Sequence, residues 1–265
     1  MKKLIFLCLI LPHLGVSQGK LDRAKKELSG RTNPDSTTRN YNSNDNTSSS
    51  SSSSDNVVSQ AAVELFLLIS YKIAFGNLED RYFAPYPYYY DNVNGEYDFG
   101  YEKGDKSSVM GLEVNYLLGN AANAVEADLN YRFVPFLGLE LNHQSFFEQG
   151  LSAGDYLDVT SLMVNYYRIR ERWFTGWFGV GVTYVGNGVE TFGAAYNLGL
   201  NIYPIKPISM AVAYKQSFIN SSQINTVKYQ LKYHLKQLAF YLGYHHTSLG
   251  GVTVSGAVTG FQTRF

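Results

Sequence analysis

The sequence predicts an all-β fold, an antiparallel up-and-down transmembrane β-barrel of about ten strands (alternatively twelve) behind a disordered N-terminal extension. Three observations predict it. From Val109 to the end, the chain repeats short segments in which apolar and polar side chains alternate. Aromatic residues, led by 22 tyrosines and 16 phenylalanines, gather at the ends of the apolar faces. The chain also begins with an apolar leader that addresses it for export.

The leader opens Met1-Lys2-Lys3 and runs without charge from Leu4 to Gly19. Small residues at Gly15 and Ser17 suit a cleavage site, so residues 1–17 read as a signal peptide and Gln18 as the mature start. The only cysteine, Cys8, falls within it. A disulfide scaffold, a thiolate metal site and a cysteine nucleophile are therefore excluded from the mature chain. The 22 basic and 22 acidic side chains sum to zero, which removes the electrostatic case for nucleic acid as a partner.

Residues 18–56 read as a Ser/Asn-rich disordered linker that buries too little to offset the entropy of ordering it. At its start, KLDRAKKELSGR has the length for two helical turns. Residues 57–108 form a third zone. Its apolar run at 57–75 suits an interfacial helix, an extra strand or a single span, and a Tyr-rich irregular region with turns at Pro85 and Asn94-Gly95 follows.

The barrel zone is 109–265. Residues 109–118 set Met110, Leu112, Val114, Tyr116 and Leu118 against Glu113 and Asn115. Residues 124–133 set Val125, Ala127, Leu129, Tyr131 and Phe133 against Glu126, Asp128, Asn130 and Arg132. Residues 136–147, 192–203 and 226–235 repeat the pattern, and 156–169, 173–185, 208–219, 238–248 and 252–265 follow it more loosely. Period two over so many segments means antiparallel strands with one dry and one wet face. Counting 62–75 as a further strand requires a twelfth, near Tyr97 to Tyr101.

A signal peptide, ten alternating strands and a terminal Phe265 in phase with Phe261 resemble the outer-membrane β-barrels of Gram-negative bacteria, a porin-like class. The resemblance implies residence in the outer-membrane lipid and recognition of Phe265 by the barrel-assembly machinery. One departure is the last strand, whose dry face is diluted by Gly, Thr and Ser.

The wet-face charges are segregated. Residues 109–172 hold eight acids and four bases, whereas 173–265 hold one acid and six bases. A closed ten-stranded barrel brings Glu113, Glu126, Asp128, Arg132 and Glu140 opposite Lys215, Lys228 and Lys232. These eight residues would form an internal ion-pair network in a largely filled lumen, or line a narrow path for small solutes. The role expected is structural or pore-like, without cofactor or metal. An alternative is a lipid-modifying enzyme, because His143 and Ser145 have the two-residue spacing of an outer-membrane lipid A deacylase family. That family's Asn after the serine is Phe146 here. His245 and His246 are adjacent, so they point to opposite faces and cannot easily share an ion.

Overall fold

A computed structural model describes residues 19–30, 82–91, 94–100, 105–148 and 156–265; the leader, the Ser-rich run and the apolar segment at 57–75 lie outside the described residues. Ten strands form the wall: β3 (Val109–Gly119), β4 (Asn123–Val134), β5 (Leu137–Phe147), β6 (Tyr156–Arg170), β7 (Phe174–Val185), β8 (Thr191–Ile205), β9 (Ile208–Ile219), β10 (Ser222–Leu235), β11 (Leu238–Leu249) and β12 (Val252–Arg264). Each pairs antiparallel with its neighbours in sequence. The ring closes where β12 meets β3, from Gly256 opposite Gly119 to Arg264 opposite Gly111.

Ahead of the wall come helix α1 (Lys20–Leu28) and two short strands, β1 (Tyr82–Phe83) and β2 (Tyr97–Asp98). The last two pair with each other and not with the barrel. This corrects the twelve-strand alternative: the β12–β3 seam satisfies both free edges, so no edge remains for residues 97–101 to join.

Period two dictates the wall. Along β4 the exposed Val125, Leu129, Tyr131 and Phe133 alternate with the inward Glu126, Asp128, Asn130 and Arg132. The exterior is apolar all round, with Phe192 70% exposed, Leu242 67% and Val180 66%. Tight hairpins are set by residues that accept positive φ, including Asn220 (52°), Lys236 (59°) and Gly250 (62°).

The two mouths differ. Val109 and Phe265 lie together at one of them, the terminal mouth, where Met110 and Phe265 exchange backbone hydrogen bonds. The other, the far mouth, carries the β3–β4, β5–β6, β7–β8, β9–β10 and β11–β12 connections. Toward the far mouth the inward positions turn apolar, with Leu117, Phe146, Leu157, Val159, Val185, Ile219, Ile224, Leu249 and Val254 joined in one buried cluster.

Helix α1 completes that cluster. Leu21, Ala24 and Leu28 stand at i, i+3 and i+7, one stripe of the helix, and all three are fully buried in it. Thus the two expected turns form, but they belong to the barrel mouth and not to the linker zone. On β12 the apolar Val252, Val254 and Val258 face inward, toward the collar that holds α1, and leave Thr253, Ser255 and Thr259 on the outer face.

Close approach requires glycine at position 199. A side chain at Gly199 would run into the indole of Trp177 on the neighbouring strand. Gly199→Val should cost about 1–3 kcal/mol through overpacking, read as a lower urea midpoint for loss of barrel structure, whereas the same change at the open Gly100 should be near neutral.

Candidate functional site

The middle of the lumen is a layer of charge. Glu126 on β4 is 1% exposed and accepts from three strands besides its own: Lys228 Nζ of β10, Asn115 Nδ2 of β3 at 3.1 Å and Asn142 Nδ2 of β5 at 2.5 Å, with the His245 ring of β11 beside it, Nδ1 3.6 Å away. Lys232 Nζ donates to Glu113 Oε1 at 2.6 Å and to Gln262 Oε1 at 3.0 Å. Lys215 Nζ crosses from β9 to Asn142 Oδ1 of β5 at 2.7 Å and to Ser161 Oγ of β6 at 3.1 Å. Glu140 accepts Asn165 Nδ2 at 2.6 Å and Asn197 Nδ2 at 3.3 Å, while Asp128 shares Asn142 Nδ2 at 3.1 Å.

The structure therefore brings Glu113, Glu126, Lys228 and Lys232 together as two ion pairs across the lumen. Lys215, Glu140 and Asp128 hold amide and hydroxyl partners in the same layer. Arg132 stands apart, nearer the terminal mouth, and its partner is a residue that alternation did not single out.

That residue is Glu96. The segment that carries β1 and β2 folds into the terminal mouth, and Glu96 reaches the wall from it. Glu96 Oε2 meets Arg132 Nη1 at 2.7 Å and Arg264 Nη1 at 3.5 Å, while Tyr203 Oη and Asn201 Nδ2 donate to its other oxygen. The Arg132 guanidinium lies over the rings of Phe83 at 4.4 Å and Tyr167 at 4.3 Å. Around this centre, Gly95 N donates to Arg172 O at 2.8 Å, Asn94 Nδ2 to Tyr203 O at 3.2 Å, and Tyr88 Oη to Ile208 O. The region read as irregular and Tyr-rich is a plug. Its sequence signal was slight: Glu96 is one of several acids around the Asn94-Gly95 turn in a run of aromatics.

Burial alone would raise the Glu96 carboxyl, but the two guanidiniums and the two hydrogen bonds outweigh it and hold the pKa at about 2. Burial pushes the Tyr97 and Tyr88 hydroxyls up to about 12. Between this plug and the Glu126–Lys228 layer a cavity of about 160 Å³ remains, lined by Glu113, Asp128, Asn130, Trp177 and Lys232 among others.

The enzyme candidates are placed differently. His143 and Ser145 lie on the outer face of β5, and His143 Nδ1 sits 2.9 Å from Thr160 Oγ1 of β6. Glu140 points into the lumen, and Glu148 accepts the Gly19 and Leu21 backbone N–H groups of α1 at 2.9 and 2.6 Å, while Asp158, opposite Ser145 on β6, accepts Asn187 Nδ2 at 2.6 Å. His245 is buried beside Glu126, and His246 faces outward to Ser255 at 2.7 Å. Among the described residues no group of three or more His, Cys, Asp or Glu side chains is arranged to hold a metal.

No family model matches the chain, and no curated protein matches it. Among solved structures it is similar to the N-terminal β-barrel domain of Pseudomonas aeruginosa OprF, at 11% identity over 60% of this chain and 98% of that one, TM-score 0.32. It is also similar to Neisserial surface protein A, at 11% identity over 60% and 96%, TM-score 0.30. A third is Ail, the attachment invasion locus protein of Yersinia pestis, at 11% identity over 60% and 97%, TM-score 0.28.

Two predictions follow from the geometry. Lys228→Met strands Glu126 in a buried site and should destabilise the barrel by about 3–5 kcal/mol, and adding Glu126→Gln should restore much of it; a double-mutant cycle in urea checks this. For Glu96 the folded pKa lies below the ordinary 4.5, so its contribution is full above that pH and is lost as pH falls toward 2. The shift corresponds to roughly 3 kcal/mol. Protease nicking within residues 82–100 should therefore rise below pH 4.5, and Glu96→Gln should show high nicking already at pH 7 with little further change on acidification.

Proposed function

We propose that this chain is an outer-membrane β-barrel protein of structural role, with a filled, non-conducting lumen. The observation that carries this reading is the inversion of the fold: a closed wall, predominantly apolar on its exposed outer surface and charged within. Monomeric soluble proteins rarely expose apolar surface on that scale, whereas a hydrocarbon phase requires it. Closure also leaves no backbone group of the wall unpaired at an edge, the condition for a sheet to sit in lipid. The exposed Phe265 at the terminal mouth supports recognition by the barrel-assembly machinery.

Three features support a structural role over a small-solute pore. The Glu126–Lys228 and Glu113–Lys232 pairs span the lumen, the Glu96 plug fills the terminal mouth, and α1 fills the far mouth. The lipid-modifying alternative through His143 and Ser145 is disfavoured because His143 Nδ1 is engaged with Thr160 Oγ1 and Asp158, opposite Ser145, with Asn187.

The full chain should fractionate with outer membrane and migrate differently on a denaturing gel before and after boiling. Reconstituted in planar bilayers it should show no discrete conductance. Co-migration of both samples and recovery in the soluble periplasm would refute the membrane barrel; steady single-channel steps would refute the closed lumen and favour the pore.

A further inference from the structure

The described parts of the N-terminal region lie at opposite ends of one barrel. Helix α1 is tied into the far mouth at both of its ends. Glu148 accepts its first N–H groups, Asn220 Nδ2 donates to Leu28 O at 2.6 Å, Ser222 Oγ donates to Glu27 O at 3.0 Å, and the Glu27 carboxylate accepts Gly251 N. These partners belong to three different far-mouth connections. The residues that follow, from Tyr82 onward, are tied into the terminal mouth through Arg132, Arg172, Ile208 and Arg264. The chain between Gly30 and Tyr82 has roughly 50 residues and at about 3.3 Å each can reach ~165 Å, far more than the length of a strand in this wall.

The way α1 is held argues against an accidental contact. A carboxylate caps the helix N-terminus, where the unsatisfied N–H groups and the positive end of the dipole favour negative charge. Amide and hydroxyl donors meet the carbonyls at its C-terminus, and the buried stripe Leu21, Ala24 and Leu28 meets an apolar collar inside an otherwise polar lumen. The opposite face, with Lys20, Arg23 and Lys26, is exposed. Without α1 the collar would present a wet apolar cup, and no other described segment fills it.

We infer that α1 is a built-in plug of the far mouth, so that residues 19–30 stand on the opposite side of the membrane from Phe265. With the barrel oriented as in the proposed function, both wall ends in the periplasm, the N-terminal helix is displayed on the cell surface and its exposed basic face is what the far mouth presents to the outside. The inference rests on that membrane reading for its sidedness and on the contacts above for its place.

Single-cysteine variants of the full chain, all carrying Cys8→Ser, separate the two. Lys26→Cys reports α1, Ser221→Cys the far-mouth β9–β10 turn and Gln237→Cys the terminal-mouth β10–β11 turn. Treated on intact cells with a membrane-impermeant maleimide, Lys26→Cys and Ser221→Cys should label at least tenfold more than Gln237→Cys, and permeabilising the outer membrane should equalise all three. Labelling of Ser221→Cys but not Lys26→Cys overturns the plug while leaving the barrel reading intact. Labelling of Gln237→Cys alone overturns the orientation, and with it the surface display. A second measurement reads place without sidedness. Ala24 lies in the buried stripe of α1 and Lys26 on its exposed face. In detergent-solubilised, unboiled barrel Ala24→Cys should resist a maleimide that labels Lys26→Cys, and both should label after boiling. Equal labelling of the two thiols in folded barrel would overturn α1 as the plug.

Discussion

The structure turns on the neutralisation of Glu126. A ten-stranded wall encloses a lumen a little wider than one that side chains fill completely and much narrower than an open aqueous channel. A carboxylate that points into such a space loses most of its water and must find its compensation in the opposite wall. Glu126 does so with one ammonium and two amides, drawn from β10, β3 and β5. These partners meet only if all the intervening strands are in register. Since a slip of one residue would turn every inward side chain outward, the charge layer and the strand register specify each other.

The lumen is then divided by chemistry along its length. In the middle it is sealed by ion pairs, which tolerate some water at their edges. At the far mouth the inward positions of β3, β5, β6, β9 and β12 become aliphatic, and the seal is a helix laid on them. At the terminal mouth the seal is a carboxylate between two guanidiniums, banked by aromatic rings. Each closure uses the kind of surface that its neighbouring strand ends provide, and none depends on the wall being narrower than ten strands.

Much of the wall was legible in the sequence because a strand declares its faces with period two. The starts of β3, β6, β9, β11 and β12 coincide with the expected boundaries, and the positive-φ hairpins at Asn220 and Gly250 lie where turn residues marked breaks. The cross-lumen meeting of acidic early strands with basic late ones followed from closure alone. What stayed hidden had no periodicity to announce it. Glu96 is one acid in a short irregular segment, and only its position in the terminal mouth gives it a role. The stripe Leu21, Ala24 and Leu28 occupies little more than two turns among charges, and such a short amphipathic segment is marginal alone; it is ordered by a cup built from residues of the distant barrel wall, Leu117 onward. The aliphatic inward ends were hidden for a related reason, because Leu117 and Val254 look like ordinary dry-face residues until their strand phase is fixed.

The cross-lumen ion pairs share one property that links them to closure. Glu126 and Glu113 on β4 and β3 pair with Lys228 and Lys232 on β10. Glu96 joins Arg132 on β4 to Arg264 on β12, the strands on either side of β3, and so straddles the seam where the ring closes. An open sheet of the same ten strands would keep its hairpin hydrogen bonds and lose every one of these contacts, because the partners are joined through the first and last strands. Neighbouring strands are therefore held by local pairing, while these ion pairs act only on the finished ring. The plug at the terminal mouth is in this sense part of the wall: by spanning the seam it resists its opening, a task that the glycine-, serine- and threonine-diluted β12 could not fulfil by packing of its outer face alone.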